Sequence, residues 1–276
     1  MRLLFPFAKR FIAGINTNDS SVVFKNHLDQ NFKVIANLVG ENIQSAEKIE
    51  TICETYAELL DRFSDSDFSI SLKLSSIGLD HEYKSTVENL TKLVQSASIN
   101  KQMIRLDMED SKYTDQTIEV CKSIHNDYPG SIGITLQANL NRTERDLEDL
   151  KRNGISIRLV KGAYFENDQI AITDMNQIRQ RFLEYSQLLI ADSNVKHSIA
   201  THDEPILDSI SLNSEMKNHR FEFLYGVRRD LQRKFINSNE VGLYMPFGEE
   251  WVSYTYRRLK EFKNIRFVAK NLIKEK

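Results

Sequence analysis

Eight short runs with strand periodicity alternate strictly with eight helical stretches, and that alternation predicts an α/β protein built as one (β/α)8 barrel. Two further observations point the same way. Along each of the better-defined strands, polar and charged side chains fall on one face and aliphatic ones on the other. Gly40, Gly78, Gly162, Gly226 and Gly248 each fall just after a predicted strand, where the chain must turn. No GxGxxG follows the first strand, as a doubly wound dinucleotide fold would require.

The elements follow in order. Residues 1–30 read as a lead-in segment, rich in Phe and Leu at its start but interrupted by Lys9 and Arg10, which breaks any signal-peptide core. The first strand spans 32–38 and its helix 44–63. In the second strand, 69–74, Ile70, Leu72 and Leu74 share one face while Ser71 and Lys73 share the other; a helix over 83–96 follows. In the third, 102–108, Ile104, Leu106 and Met108 oppose Arg105 and Asp107, ahead of a helix over 114–127. In the fourth, 132–137, Ile132, Ile134 and Leu136 oppose Thr135 and Gln137, and the helix 143–153 stops at Gly154. In the fifth, 155–161, Ile157 and Leu159 oppose Arg158, before a helix over 175–193. Strands over 197–201, 221–225 and 241–245 complete the set, with helices over 204–216, 227–236 and 250–262. No Pro/Gly-rich linker divides the 276 residues, so one domain over 1–276 is expected, with 263–276 as a C-terminal tail.

The aliphatic faces would be covered by helices, which leaves the polar faces pointing into the barrel. Charges there must be offset by a ligand or by one another. A net charge of −2 excludes the electrostatic footprint of a nucleic-acid binder. His27, His81, His125, His197, His202 and His219 are scattered with no HxH or HExxH, so no metal site is expected. No GxSxG elbow is present. Cys53 and Cys121 sit within helical stretches without a CxxC and read as small buried apolar residues of a reducing compartment.

The C-terminal strand ends collect Glu41, Lys73, Asp107, Gln137, Arg158, Lys161, Thr201, His202, Asp203, Tyr225 and Tyr244. A barrel without a ligand could carry some of these as internal ion pairs, Lys73 with Asp107 for example. Arg257 and Arg258 stand near the start of the last helix, with Tyr254 one turn earlier and Glu261 one turn later. Paired guanidiniums match a carboxylate bidentately. On spacing alone, a solvated Arg–Arg pair with Glu261 as its helical neighbour is the plainer reading.

The segments KRFIAG (9–14), LVGE (38–41), SLKLSSIGL (71–79), RLDMEDS (105–111), GITLQANL (133–140), IRLVKGAY (157–164), ATHD (200–203), FEFLYGV (221–227) and YMPFGEEWVSYTYRRL (244–259) resemble the proline dehydrogenase family in order and spacing. The resemblance runs from about residue 9 to 262. It implies a distorted (β/α)8 barrel whose last helix lies over the barrel mouth, with FAD across the strand ends. It also implies oxidation of L-proline to Δ1-pyrroline-5-carboxylate by hydride transfer from C5 to flavin N5, with electrons passed to a membrane quinone. A separate pyrroline-5-carboxylate dehydrogenase would act downstream. Cytoplasmic is the expected location, with peripheral contact at the inner face of the membrane left open by the apolar N-terminal segment.

By the same resemblance, the catalytic residues are Asp107 and Arg158, and the substrate residues are Lys73, Tyr164, Tyr244, Tyr254, Arg257 and Arg258. Cofactor contacts are Met108, Gln137, Arg158, Val160, Lys161, Gly162, Ala163, Thr201, His202 and Glu261. Glu41 and Arg257 form a gate. Asn139 and Phe247 depart from the family pattern, which commonly has Tyr after Gln-Ala and Tyr or Val before the glycine. A Schiff-base lyase using Lys73 or Lys161 is the competing enzyme reading, since barrels also place reactive lysines at strand ends. A barrel kept only as a binding module is the non-enzymatic one.

Overall fold

In the computed structural model, which describes residues 9–213, 218–252 and 254–256, eight parallel strands close into a barrel in sequence order. They are β1 (Lys33–Leu38), β2 (Phe68–Leu72), β3 (Met103–Leu106), β4 (Ile132–Gln137), β5 (Ser156–Val160), β6 (His197–Ala200), β7 (His219–Leu224) and β8 (Glu240–Phe247). The closing ladder joins β1 to β8 from Lys33 opposite Gly242 to Leu38 opposite Phe247, so the sheet has no free edge. The predicted alternation holds. Ile70, Leu72, Ile104, Leu106, Ile132, Ile134, Ile157 and Leu159 are fully buried in one continuous apolar cluster with residues of the helical layer, such as Leu90, Leu147 and Phe182. The polar set on the opposite face is buried as well: Ser71, Arg105, Thr135, Arg158 and Glu222.

The crossover helices are α2 (Ala46–Arg62), α3 (Tyr83–Ile99), α4 (Thr114–Asp127), α5 (Thr143–Arg152), α6 (Met175–Ile190), α7 (Glu204–Asn213) and α8 (Arg229–Phe235). Starts are set by local chemistry. The Ser45 side chain accepts the N–H of Lys48 ahead of α2, and Asp174 accepts that of Gln177 ahead of α6.

One helix was not expected. Helix α1 (Thr17–Leu28) lies inside the predicted lead-in, capped by Asn16, whose side chain accepts the Asp19 N–H. It packs on β1 and β8 through Phe24, which meets Phe63, Phe68 and Phe247 ring to ring at 5.7–6.1 Å. Helix α1 therefore occupies the outer position between β8 and β1, where an eighth crossover helix would pack. Phe247, one of the departures from the family pattern, serves this outer packing. Tyr254, in the short helical start described after β8, joins Phe11, Ile12, Val39 and Val227 in a second apolar cluster. The N-terminal segment is stitched to the same region: Ala13 N–H donates to Pro246 O at 2.7 Å, and Gly248 N–H to Gly14 O at 3.0 Å.

At the opposite end of the barrel, His197 is completely buried, and its Nδ1 accepts the Ile157 N–H at 3.1 Å. That bond fixes the neutral tautomer, with Nε2–H facing Asp192 at 3.2 Å. Burial lowers the imidazole pKa to about 4, outweighing the opposing pull of Asp192. An unfolded histidine titrates near 6.5. Between that value and 4 the unfolded chain takes up a proton that the folded chain refuses, so stability is intact above about pH 6.5 and falls as pH drops toward 4. Relative to a His197→Gln variant, the protein should lose about 2 kcal/mol between pH 7 and pH 5 in urea denaturation. An identical pH dependence in both would remove this assignment.

Candidate active site

A cavity of about 970 Å³ opens at the C-terminal ends of the strands. That is the upper end of the ordinary range for ligand pockets. Every described residue of the predicted site lines it. Glu41, Lys73, Asp107 and Met108 come from the units of β1 to β3, and Gln137 and Arg158 from β4 and β5. Val160, Lys161, Gly162, Ala163 and Tyr164 form the end of β5 and its loop, Thr201 and His202 follow β6, and Tyr244 and Tyr254 complete the ring. Arg257, Arg258 and Glu261 lie outside the described residues, and with them one half of the expected Glu41–Arg257 gate.

The floor is a charged network. Arg158 donates from Nε to Glu222 Oε2 at 2.5 Å, and from Nη1 to Asp107 Oδ1 and Ser71 Oγ, both at 2.8 Å. Ser71 Oγ in turn donates to Asp107 Oδ1 at 2.7 Å, and the Tyr244 hydroxyl donates to Asp107 Oδ2 at 2.7 Å. The Arg158 guanidinium carbon sits 5.4 Å from the Tyr244 ring centroid, a cation–π contact. Burial would raise the Glu222 carboxyl, but Arg158 and Arg105 outweigh it and hold its pKa down at about 2. Burial also opposes the Arg158 charge, yet Glu222 and Asp107 leave it firmly protonated. Burial and the Asp107 charge push the Tyr244 phenol well above its ordinary value, so it stays a neutral donor.

The ion pair named as an example for a ligand-free barrel is not formed. Asp107 does not meet Lys73; the Lys73 ammonium lies 3.8 Å from Glu41. β2 ends at Leu72, not at 74, and Lys73 is the extended residue that opens a 3-10 turn, Leu74–Ile77. That turn carries Lys73 toward the β1 loop, while the interior of the barrel brings Arg158 to Asp107.

The far end of the cavity carries three cations, each paired with a carboxylate. Lys161 Nζ contacts Asp203 Oδ2 at 2.6 Å, Arg179 Nη2 contacts Asp203 Oδ1 at 3.0 Å, and Arg228 pairs with Glu204 and Asp230. His202 Nε2 accepts the Leu224 N–H at 3.1 Å, so its proton resides on Nδ1. Gln137 ties two loops together: its amide donates to Glu109 O at 3.1 Å and accepts the Ala163 N–H at 3.4 Å. The β5 loop is also tied to the β3 loop through Glu166, which takes the N–H and hydroxyl of Ser111 at 2.7 Å each. Among the described residues, Arg158 Nη2 and Thr135 Oγ1 of the cavity lining are buried without a partner.

Glu222, Ser71, Thr135, Arg179 and Arg228 were absent from the predicted set. The first was within reach. In Phe221-Glu222-Phe223 the period-2 rule puts a lone carboxylate on the face opposite two aromatic rings, the signature that marked Arg158. Arg179 and Arg228 belong to helical segments whose approach to the cavity depends on tertiary packing.

A family model described as proline dehydrogenase matches residues 23–270. The chain is 32% identical to proline dehydrogenase 2 of Bacillus subtilis (strain 168) over 279 residues, covering 97% of this chain and 91% of that protein. It is 30% identical to proline dehydrogenase of Deinococcus radiodurans over 289 residues, covering 98% and 91%. The fold matches proline utilization A from Bdellovibrio bacteriovorus, in a crystal structure of the protein inactivated by N-propargylglycine, with a TM-score of 0.83 and 19% identity. That match covers 95% of this chain and 34% of the longer protein, so this chain spans about a third of it.

Proposed function

The chain belongs to the proline dehydrogenase family, and from that premise we propose that it oxidises L-proline to Δ1-pyrroline-5-carboxylate with FAD as cofactor. The observation that carries the reading is that every described residue implied by the family resemblance lines one cavity at the C-terminal end of the barrel. The residues present suit an elongated anionic cofactor with a polar heterocycle. Lys161, Arg179 and Arg228 stand along one part of the wall, each held by a carboxylate, so an anionic group there would share them with Asp203, Glu204 and Asp230. At the floor, Arg158 Nη2 and Thr135 Oγ1 have no partner among the described residues and suit the polar atoms of a heterocycle. Met108, Gln137, Arg158, Val160, Lys161, Gly162, Ala163, Thr201 and His202 would hold FAD, with Glu261 as a further contact outside the described residues. FAD would supply the hydride acceptor.

The protein's own groups would do the rest. The rings of Tyr244 and Tyr254 wall the space beside Arg158 and exclude water from the pyrrolidine ring. Arg158, kept charged by Glu222 and Asp107, would favour negative charge accumulating nearby during the reaction. Asp107 acts as a strut with both oxygens occupied, one by Arg158 and Ser71 and the other by Tyr244. Its charge is thus offset without Lys73, which leaves Lys73 with Glu41 to face the substrate. Arg257 and Arg258 would clamp the proline carboxylate, with Glu41 and Arg257 closing the gate. The lyase alternative is weakened, since Lys73 and Lys161 are both engaged by carboxylates.

Transfer of electrons to a membrane quinone, with a separate pyrroline-5-carboxylate dehydrogenase consuming the product, completes the proposal. Peripheral attachment would suffice. Among the described residues no helix is long and apolar enough to cross a membrane. The purified protein should show flavin absorbance that bleaches anaerobically with L-proline. A colourless protein that cannot be reconstituted with FAD would overturn the cofactor and the reaction together.

A further inference from the structure

The interior of β7 carries a carboxylate that no part of the substrate or cofactor set above requires. Glu222 is buried at 3% exposure, and the glycine at Gly242 on β8 makes room for it: a Cβ there would lie 3.1 Å from Glu222 Cγ. Its partner is Arg158, also buried at 3%. A guanidinium has five N–H donors in a rigid plane. Here Nε is committed to Glu222, and Nη1 to Asp107 and Ser71, while the two N–H groups of Nη2 have no acceptor among the described residues. With two edges of the plane pinned from opposite sides, the remaining nitrogen has one orientation.

We infer that Glu222 is a positioning residue that acts through Arg158, fixing the guanidinium plane so that Nη2 is presented to the occupant of the cavity. With Asp107 and Ser71 alone, the plane is held from one side and can turn about its Nη1 contacts. A buried ion pair contributes little net stability, so a second carboxylate on this arginine has its clearest use in orientation. Burial in an uncharged pocket would also work against the arginine, and Glu222 keeps it charged. The inference rests on the FAD reading for what Nη2 meets, but not for the anchoring itself.

A double-mutant cycle with two readouts tests it on the full-length protein as isolated. In the first, selective ¹⁵N-arginine labelling should reveal a slowly exchanging Nε–H, assigned by its loss in Arg158→Met. Glu222→Gln should accelerate its exchange by about tenfold or more. In the second, anaerobic mixing with L-proline should show flavin reduction slowed on the order of 10–100-fold in Glu222→Gln, the cost expected of a misplaced catalytic group. The Michaelis constant for proline should stay within about threefold, because the substrate carboxylate is held elsewhere. Combining Glu222→Gln with Arg158→Met should be no slower than Arg158→Met alone, the non-additivity of a residue that works through another. Should Glu222→Gln not fold, Glu222→Asp keeps the charge, withdraws it by one methylene and carries the same cycle.

Losses that multiply, or reduction within about twofold of the parent protein, would overturn the proposal. Unaltered Nε–H exchange would do so without reference to flavin. A parent protein that proline cannot reduce would instead count against the functional reading, and the exchange measurement would still decide the anchor.

Discussion

Arg158→Met should cost about 3–5 kcal/mol of folding stability at neutral pH, far more than a methionine of similar length would suggest. The reason is what the substitution leaves behind. Asp107 and Glu222 are both held by the guanidinium, at 2.8 and 2.5 Å, in the interior of a closed barrel. Removing the cation takes the main partner from the buried Glu222 and leaves Asp107, on the cavity wall, with Ser71 and Tyr244 alone. The loss should depend on pH with a definite sign. In the parent protein the Glu222 carboxyl is held down at about 2, so its contribution is present above its unfolded value near 4.5 and lost as pH falls toward 2. In the variant Arg105 and Ser198 remain, but without Arg158 they oppose burial less well and that pKa rises, so the stability deficit is small in acid and grows as pH rises through the new value. Urea denaturation of the two proteins from pH 4 to 8 should therefore show a gap that widens with pH. A constant gap would mean that Arg158 contributes through packing and not through charge. Flavin retention should fall in parallel, as Nη2 is lost with the side chain.

The barrel was legible because it is written in local periodicity. Ile132-Gly133-Ile134-Thr135-Leu136-Gln137 alternates cleanly, and its strand limits are those of the sequence reading. Glycines and polar residues clustered after strands then pointed to one rim. Which groups meet across that rim was not legible. Arg158 on β5 reaches Asp107 after β3 and Glu222 on β7, contacts separated by 51 and 64 residues. They depend on how the strands pack around the barrel interior, which no local pattern encodes. The Lys73–Asp107 pair considered for a ligand-free barrel does not form for this reason, because β2 ends two residues before the expected limit and Lys73 lies beyond it. Helix α1 escaped for a different one. In Thr17–Leu28 only Ser20 and Phe24 are buried, so no apolar stripe announces the helix. Its start is marked only by Asn16 and Asp19, a cap that becomes informative once the β8–β1 flank is known to need cover.

Gly162→Ala should be the most damaging single-methyl change in the cavity wall, at about 2–4 kcal/mol, with partial loss of flavin at equal protein concentration. Two penalties add. The backbone at Gly162 has φ +115°, a region in which L-residues are strained whatever space surrounds them. The added Cβ would also lie 2.0 Å from Asn139 Oδ1 and 2.4 Å from Asn139 Cγ. The Asn139 backbone cannot simply withdraw, so only a turn of its buried amide could relieve the collision. Its backbone N–H donates to Lys161 O at 3.0 Å, and its carbonyl accepts the Ile172 N–H at 2.8 Å, so it is stitched to both ends of the loop it would have to leave. If the loop moves instead, the Ala163–Gln137 and Lys161–Asp203 contacts move with it, and those residues line the cavity. Adding Asn139→Ala separates the two penalties. Truncating the amide removes the collision and, since Asn139 Oδ1 has no partner among the described residues, sacrifices no hydrogen bond seen there. The double variant should regain the steric part of the loss, while the deficit from the backbone persists. If Gly162→Ala matched the parent protein in denaturant midpoint and flavin content, the β5 loop would be free to adapt, and its glycine would not be what shapes the wall.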